Sequence, residues 1–247
     1  MEVQKHPHHV THKKKSKEYF LEFLMIFLAV FLGFLAENIR EGVADTHREK
    51  QYMISMIEDL KEDTVSLSAS IRLRQQRKEM LDSLIFLLSP GKAKENGNSI
   101  YYYGRFITPP IYFFPNDRTI QQLKSTGSLR LVRNMQVSNS IMAYDRKMRQ
   151  EIFEYNDEQI VRGEIREVAR KVFDGEVFSG MTPSSSIDKP VNNPQLFTSD
   201  PALINEFVVE VQYLRKANQN QVLRAGELFS QAKELIDIIK RGYHLDD

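Results

Sequence analysis

The sequence predicts an all-α protein in which one N-terminal transmembrane helix continues into an elongated antiparallel helical bundle. Two observations predict this class. An apolar run covers residues 19–36, and apolar residues then recur along three long segments with the 3-4 spacing of a helix face. We therefore divide the chain into a basic His/Lys-rich tail, 1–18, a membrane segment, 19–36, and a helical domain, 37–247.

The membrane segment, Tyr19–Ala36, contains one charged residue, Glu22. A helix of this length covers roughly 27 Å, close to the ~30 Å hydrocarbon core of a bilayer. A cleaved signal peptide is the alternative, because it shares the basic start and the apolar run. The run is longer than usual for a signal peptide, and Phe34 stands where a cleavage site requires a small residue. We therefore expect an uncleaved anchor in a lipid bilayer.

The charges on either side of this segment predict its orientation. Five lysines precede it, whereas three basic residues mixed with acids follow it over a comparable length. The positive-inside rule then places the tail in the cytoplasm and the helical domain outside it. The lysines are Lys5, Lys13, Lys14, Lys15 and Lys17, and the later basic residues are Arg40, Arg48 and Lys50.

Small residues and one acid share a face of the membrane helix, and five phenylalanines lie on a nearly opposite face. Small residues let two helices approach closely in lipid. The face is therefore a predicted contact with a second copy of the chain or with another membrane protein. Snorkelling of Glu22 towards the interface is the alternative interpretation. The face consists of Glu22, Ile26, Ala29, Gly33 and Ala36.

The three long helices of the domain have recognisable ends. We expect the first to stop near Ser89-Pro90-Gly91, the second to run from Asn134 to about Phe173, and the third from Asp200-Pro201 to about Tyr243. The predicted inner face of the first helix is Ile39, Val43, Met53, Ile57, Leu60, Leu67, Ile71, Leu81, Ile85 and Leu88. That of the second is Ile141, Tyr144, Met148, Ile152, Tyr155, Val161, Ile165, Val168 and Val172. That of the third is Leu203, Phe207, Val211, Leu214, Ala225, Leu228, Ala232, Leu235 and Ile239.

The connections between these helices differ in composition. Residues 90–116 are rich in aromatic residues and prolines, and 175–199 are rich in prolines and serines, so both are predicted to be irregular. The aromatic segment either caps the helical core or binds a ligand or partner. A short helix is predicted over Arg118–Ser125, with an N-cap at Asn116-Asp117 and an end at Gly127.

No sequence motif for phosphate, dinucleotide or metal-dependent chemistry occurs, so we expect no enzyme, no catalytic residue and no cofactor. The acids Glu58, Asp59, Glu62 and Asp63 have the i, i+4 spacing of a dimetal site but lack its histidine, and a solvated acidic face is the preferred interpretation. Basic clusters among acids on helices, with a net charge of +1, predict exposed faces and no nucleic-acid partner. These clusters are Arg72, Arg74, Arg77 and Lys78, and Arg146, Lys147 and Arg149.

Four of the six histidines lie in the tail. Clustered imidazoles can bind divalent transition metals, whereas a solvated tail would only gain charge below about pH 6.5. No ligand partner recurs downstream at a suitable spacing, so we expect no metal site. The histidines are His6, His8, His9 and His12.

Two stretches carry a family resemblance. The first runs from Glu22 through Asp63, and the second is RTIQQLKSTGSLRLVRNMQVSNSIMAYD, 118–145. Together they resemble a family of small bacterial single-pass membrane proteins of unknown function, which implies a bacterial inner-membrane location with a periplasmic domain. The chain departs from the family at Ile39-Arg40, where a tryptophan is usual. The matching positions are Glu22, Asn38, Tyr52, Asp59, Leu60, Leu123, Lys124, Ser125, Gly127, Leu129, Leu131 and Asn134.

The sequence therefore leads to three functional hypotheses. The first is a membrane-anchored scaffold or accessory protein. The second is an extracytoplasmic sensor-like module, which would need a signalling partner because the tail of eighteen residues is too short for an output domain. A membrane-bound enzyme ranks third.

Overall fold

The computed structural model describes residues 15–183 and 186–245, and this part of the chain contains helices and no strand. The predicted all-α class is confirmed. Short 3₁₀ turns occupy Ala93–Glu95 and Ser128–Leu131. The helices are α1 (Ser16–Leu87), α2 (Gly97–Phe106), α3 (Arg118–Ser125), α4 (Met135–Val172), α5 (Gly175–Gly180) and α6 (Pro201–Tyr243).

The chain forms two compact units, residues 1–51 and 52–247. In the described part of the first unit, α1 contains an 18-residue stretch with a mean hydropathy of 2.3, none of it buried. This stretch is long and apolar enough to span a membrane, as the sequence predicted. Helix α1 begins at Ser16, within the segment assigned to the tail, and it continues through Gly42 without interruption.

The second unit has a core built from α1, α4 and α6. Buried positions on all three helices follow a 3-4 spacing, which is the pattern of interlocking helix faces. The spacing is continuous on α1 and α6 and is interrupted on α4 at the partly buried Tyr155. The buried positions with this spacing on α1 are 53, 56, 60, 63, 67, 70, 74, 77, 81 and 84, followed by Leu88 just beyond the helix, and those on α6 are 207, 211, 214, 218, 221, 225, 228, 232, 235 and 239. On α4 the predicted position Ile152 was wrong, because it is exposed, whereas Val161 is partly buried and packs against the apolar core.

Two apolar clusters occupy this core and reveal the helix directions. One joins the Met53–Leu67 part of α1 to the start of α4 and the end of α6. The other joins the Leu81–Leu88 part of the chain to the end of α4 and the start of α6. Helix α6 is therefore antiparallel to α1, as expected, whereas α4 runs parallel to α1.

The chain between α1 and α4 explains this parallel pair. Residues 107–117, here called the return segment, follow α2 without regular helix and run back along α1. Contacts place Pro109 beside Arg77 and Thr119 beside Asp59. As a helix, the ten steps from Pro109 to Thr119 would cover only about 15 Å, whereas positions 59 and 77 of α1 are eighteen steps and about 27 Å apart. An extended, proline-containing chain covers that length.

The aromatic-rich connection is less irregular than predicted. Its first half folds into α2, whose buried face includes Tyr101 and Gly104. The Tyr101 ring meets Phe173 and Phe178 edge-on, with centroids 5.2 and 5.6 Å apart. The tyrosine hydroxyl donates to the Gln195 carbonyl at 3.0 Å. This segment therefore caps one end of the helical core. The predicted irregular connection 175–199 likewise contains α5.

Most predicted helix boundaries are confirmed. The Asn134 side chain caps α4 by accepting from the backbone N–H groups of Gln136 and Val137. Asp200 caps α6 by accepting from Ala202 N–H, and Gly127, just past α3, has the left-handed φ of 66° that favours glycine. Asp117 occupies the predicted N-cap position of α3, but neither its side chain nor that of Asn116 forms a capping hydrogen bond.

Two interior helix glycines give opposite expected results on substitution by alanine. At Gly104 a Cβ would lie 2.6 Å from Phe173 Cζ, and neighbouring rings hold Phe173 in place, so Gly104→Ala should destabilise the protein by about 1–3 kcal/mol. At Gly163 an added Cβ would meet no packing atom within 4 Å. Gly163→Ala should therefore stabilise the protein by up to about 1 kcal/mol through helix propensity. Circular dichroism melting of both variants would check this, and equal Tm changes would contradict the packing.

Candidate functional site

The middle of the helical core is charged. Between the two apolar clusters, the inner-face positions are polar on all three helices, and we call them the central polar layer. Burial of so many polar groups is costly unless they pair with one another. The layer consists of Ser70, Arg74 and Arg77 on α1, Glu151, Glu158 and Arg162 on α4, and Asn218 and Gln221 on α6, each at most 7% exposed.

Three guanidinium groups converge on one carboxylate in this layer. Arg74 Nη1 lies 2.6 Å from Glu158 Oε2, and Arg162 Nη1 lies 2.5 Å from Glu158 Oε1. Arg77 Nη1 is 3.6 Å from the same Oε1 atom. Burial lowers the pKa of Arg77 to about 10, against the raising effect of Glu158, so this arginine stays charged at neutral pH. The prediction that the basic cluster of α1 is exposed was therefore wrong for Arg74 and Arg77.

The same arginines hold the return segment. Arg74 Nη2 donates to the Ile111 carbonyl at 3.1 Å, and Arg77 Nη2 donates to the Pro109 carbonyl. Asn218 Nδ2 of α6 donates to the Arg74 carbonyl at 2.8 Å. The layer therefore fixes α1, α4, α6 and the return segment together.

The acidic cluster on α1 was also predicted as a solvated face, and this was wrong for Asp59 and Asp63. Asp59 is 2% exposed, and its Oδ2 accepts from Thr119 N at 2.9 Å and from Thr119 Oγ1 at 2.7 Å. Its Oδ1 accepts from Arg118 Nε at 3.0 Å. Asp59 therefore caps α3 from a neighbouring helix, which explains why Asp117 does not.

Asp63 fixes the end of the return segment one turn further along α1. Its Oδ1 accepts from Asn116 N–H at 2.7 Å, and its Oδ2 accepts from the Tyr144 hydroxyl at 2.6 Å. Burial raises the pKa of Asp63, although both hydrogen bonds lower it. Burial also raises the pKa of Tyr144. These bonds position the connection between the return segment, α1 and α4.

Glu151 makes the layer sensitive to pH. Burial raises its pKa to about 7, against the lowering effect of Arg74 and Arg224. A raised carboxyl pKa means that the folded state binds the proton more tightly than the unfolded state does. The stability that Glu151 contributes is therefore fully present below its unfolded pKa of about 4.3 and is lost as the pH rises to about 7.

We expect Glu151→Gln to remove the loss of stability that the wild type shows as the pH rises to about 7. Because 2–3 pKa units correspond to about 3 kcal/mol, the variant should exceed the wild-type stability by an amount of that order above pH 7, and by little near pH 4. Melting curves between pH 4 and 8 measure the difference. The exposed Glu164→Gln on the same helix is the control, and a difference independent of pH would contradict the assignment.

A cleft with a volume of about 650 Å³ lies at the end of the helical core that contains Leu88. It is lined by the end of α1, the following turn and the start of α6. Its walls are mainly apolar, with Lys94 and Asn205 among the polar lining. Volumes of this size suit small-molecule ligands. The apolar wall residues include Ile85, Leu88, Leu196, Ile204 and Val208.

The structure places the five residues of the predicted membrane contact face on α1, and the four beyond Glu22 are exposed. Their role as a contact face stays a prediction. The four tail histidines lie outside the described residues. Within residues 15–183 and 186–245, no group of three or more His, Asp or Glu side chains is placed to hold a metal ion.

No protein-family model, curated protein or solved structure matches the chain. Fold and site together define an all-α helical-bundle protein with one candidate membrane-spanning helix and a buried charged layer at mid-core. Sequence reasoning missed that layer. The available signal was the 3-4 spacing, which passes through Glu151, Glu158 and Arg162 on α4.

Proposed function

We propose that the protein is a single-pass, membrane-anchored helical scaffold or accessory protein without catalytic activity. The observation that carries the proposal is the composition of α1. One part of this helix is an exposed apolar stretch, and another part, from Met53 onwards, supplies the inner face of the helical core. A helix that serves both purposes attaches the folded domain directly to its anchor. The family resemblance supports a bacterial inner membrane, with the domain on the periplasmic side.

Surface aromatic residues support a role in binding other proteins. Tyr112 and Phe114 of the return segment stack at a centroid distance of 5.2 Å and are 52% and 74% exposed. Aromatic residues are enriched in protein interfaces. Because the central polar layer fixes the backbone beneath this pair, the rings are held at the surface.

Two measurements test the anchoring. Alkaline phosphatase fused after Asp247 should be active, since the domain would lie outside the cytoplasm. Mass spectrometry of the purified protein should find the basic tail still attached. A new N-terminus between Ala36 and Asp45 would contradict the anchor, and activity from a cytoplasmic reporter alone would reverse the orientation.

Site-specific photo-crosslinking tests the scaffold role. A photoreactive residue at Phe114 should give one defined crosslinked protein in intact cells, whereas the same residue at the exposed Glu167 should not. The product should be the same under all growth conditions. Failure to obtain any product from Phe114 would contradict a partner contact at the return segment.

A sensor-like module is the second candidate, and the 650 Å³ cleft favours it. Because Ile85 and Leu88 line this cleft, ligand binding there would act directly on the end of α1 and its following turn. A crosslinked product that changes when growth conditions change would support the sensor over the scaffold.

A further inference from the structure

The charges of the central polar layer do not balance. Arg74, Arg77 and Arg162 contribute three positive charges, each at most 5% exposed. Glu158 and Glu151 contribute at most two negative charges, and burial leaves Glu151 partly protonated near pH 7. At least one buried positive charge is therefore uncompensated within the layer. An uncompensated charge in a protein core is strongly destabilising.

The neighbouring charges do not correct this imbalance. Arg224 of α6 pairs with Glu154 of α4, so that pair is neutral, and both side chains are partly exposed. Arg215 pairs with Asp82 at 2.5 Å, also at partial exposure. The excess positive charge therefore belongs to the three buried arginines.

The same arginines have buried N–H groups without a hydrogen-bond partner among the described residues. They are Nε and Nη2 of Arg162, Nε of Arg74, and Nη1 of Arg77, which is within ion-pair distance of Glu158 Oε1 but too far for a hydrogen bond. Because all three guanidinium groups contact the Glu158 carboxylate, these donors belong to one compact group. The Tyr155 ring lies beside this group, with Arg162 Cζ 5.4 Å from the ring centre. Unpaired buried donors each cost about 1–3 kcal/mol.

We propose that the central polar layer binds one small monovalent anion, of the size of chloride, through the unpaired N–H groups of Arg162, Arg74 and Arg77. An anion here supplies the missing negative charge and an acceptor for these donors, whereas the unpaired acceptor oxygens of the layer, Glu151 Oε2, Asn218 Oδ1 and Gln221 Oε1, need a donor such as water. We assign a small anion because neither the 650 Å³ cleft nor the groove beside Lys147 between α4 and α6 is lined by these arginines.

The test measures Tm of the full-length protein in detergent as chloride replaces gluconate at constant ionic strength and pH. Circular dichroism is the probe because the chain lacks tryptophan. Above the dissociation constant, Tm should rise by about 3–6 °C for each tenfold increase in chloride. Bromide should act like chloride. A Tm that stays constant as chloride replaces gluconate would overturn the proposal and would mean that water alone satisfies the layer.

Variants locate the site. Arg162→Gln removes two of the unpaired donor atoms and one charge, so it should abolish the chloride response. Should that variant fail to fold, Glu151→Gln provides the opposite test. The Glu151 carboxylate competes with chloride for the buried arginines, so its removal should let Tm begin to rise at a lower chloride concentration. Lys147→Gln, whose lysine pairs with Glu227 at the surface, should respond like the wild type. A full chloride response in Arg162→Gln, or an unchanged one in Glu151→Gln, would overturn the assignment.

Discussion

Glu158→Gln should destabilise the helical domain by about 3–5 kcal/mol, the cost of breaking a buried ion pair from one side. Glu158 is 1% exposed, and its carboxylate is the shared partner of three buried guanidinium groups. Glutamine keeps the size of the side chain but removes the charge. Arg74, Arg77 and Arg162 would then repel one another without a central counter-charge.

Melting followed by circular dichroism checks the size of this effect. Glu167→Gln is the matched control, because Glu167 also pairs with an arginine on α4, Arg170, but at a surface position where both side chains are about two-thirds exposed. The control should change stability by less than about 1 kcal/mol. Similar Tm values for the two variants would show that the buried layer contributes no more than a surface pair.

Asp59→Ala should have the second largest effect, about 2–4 kcal/mol. The substitution removes the cap of α3 and leaves the buried N–H and hydroxyl of Thr119 unpaired, at about 1–2 kcal/mol for each group. The Arg118 ion pair adds little, since its guanidinium is 67% exposed. Arg118→Ala should therefore be much milder than Asp59→Ala.

Limited proteolysis adds a local readout to the melting curves. Loss of the Asp59 cap should loosen α3, so trypsin should cut after Arg118 or Lys124 faster than in the wild type. Glu58→Ala, at the exposed neighbouring position on α1, should leave both the Tm and the cleavage rate unchanged. Wild-type cleavage of Asp59→Ala would contradict the role of Asp59 as a cap for α3.

Much of the fold could be predicted from the sequence because its signals are local. The apolar run 19–36 and the 3-4 spacing of apolar residues depend only on helix geometry. The ends of α3, α4 and α6 follow from residues that satisfy the neighbouring backbone, such as Asn134 and Gly127. These signals determined the class, the long helices and the candidate membrane segment.

The charged interior could be identified only from the tertiary structure. Asp59, Asp63, Arg74 and Arg77 look like surface residues along the sequence, because acids and bases are normally solvated on a helix. Their partners are the Thr119 amide, the Tyr144 hydroxyl, Glu158 and the carbonyls of the return segment, which are 32 to 84 positions away in sequence.

The parallel course of α1 and α4 also depended on the tertiary structure. The sequence showed a proline-containing aromatic segment between two helices, but not its direction. Its path follows from the side chains of α1 that hold it, with Arg77 at one end and Asp59 at the other. A charge on one helix can be assigned to the core or to the surface only when the groups brought next to it by the fold are known. Local spacing therefore determined which segments form helices, and long-range pairing of buried polar groups decided how they are arranged.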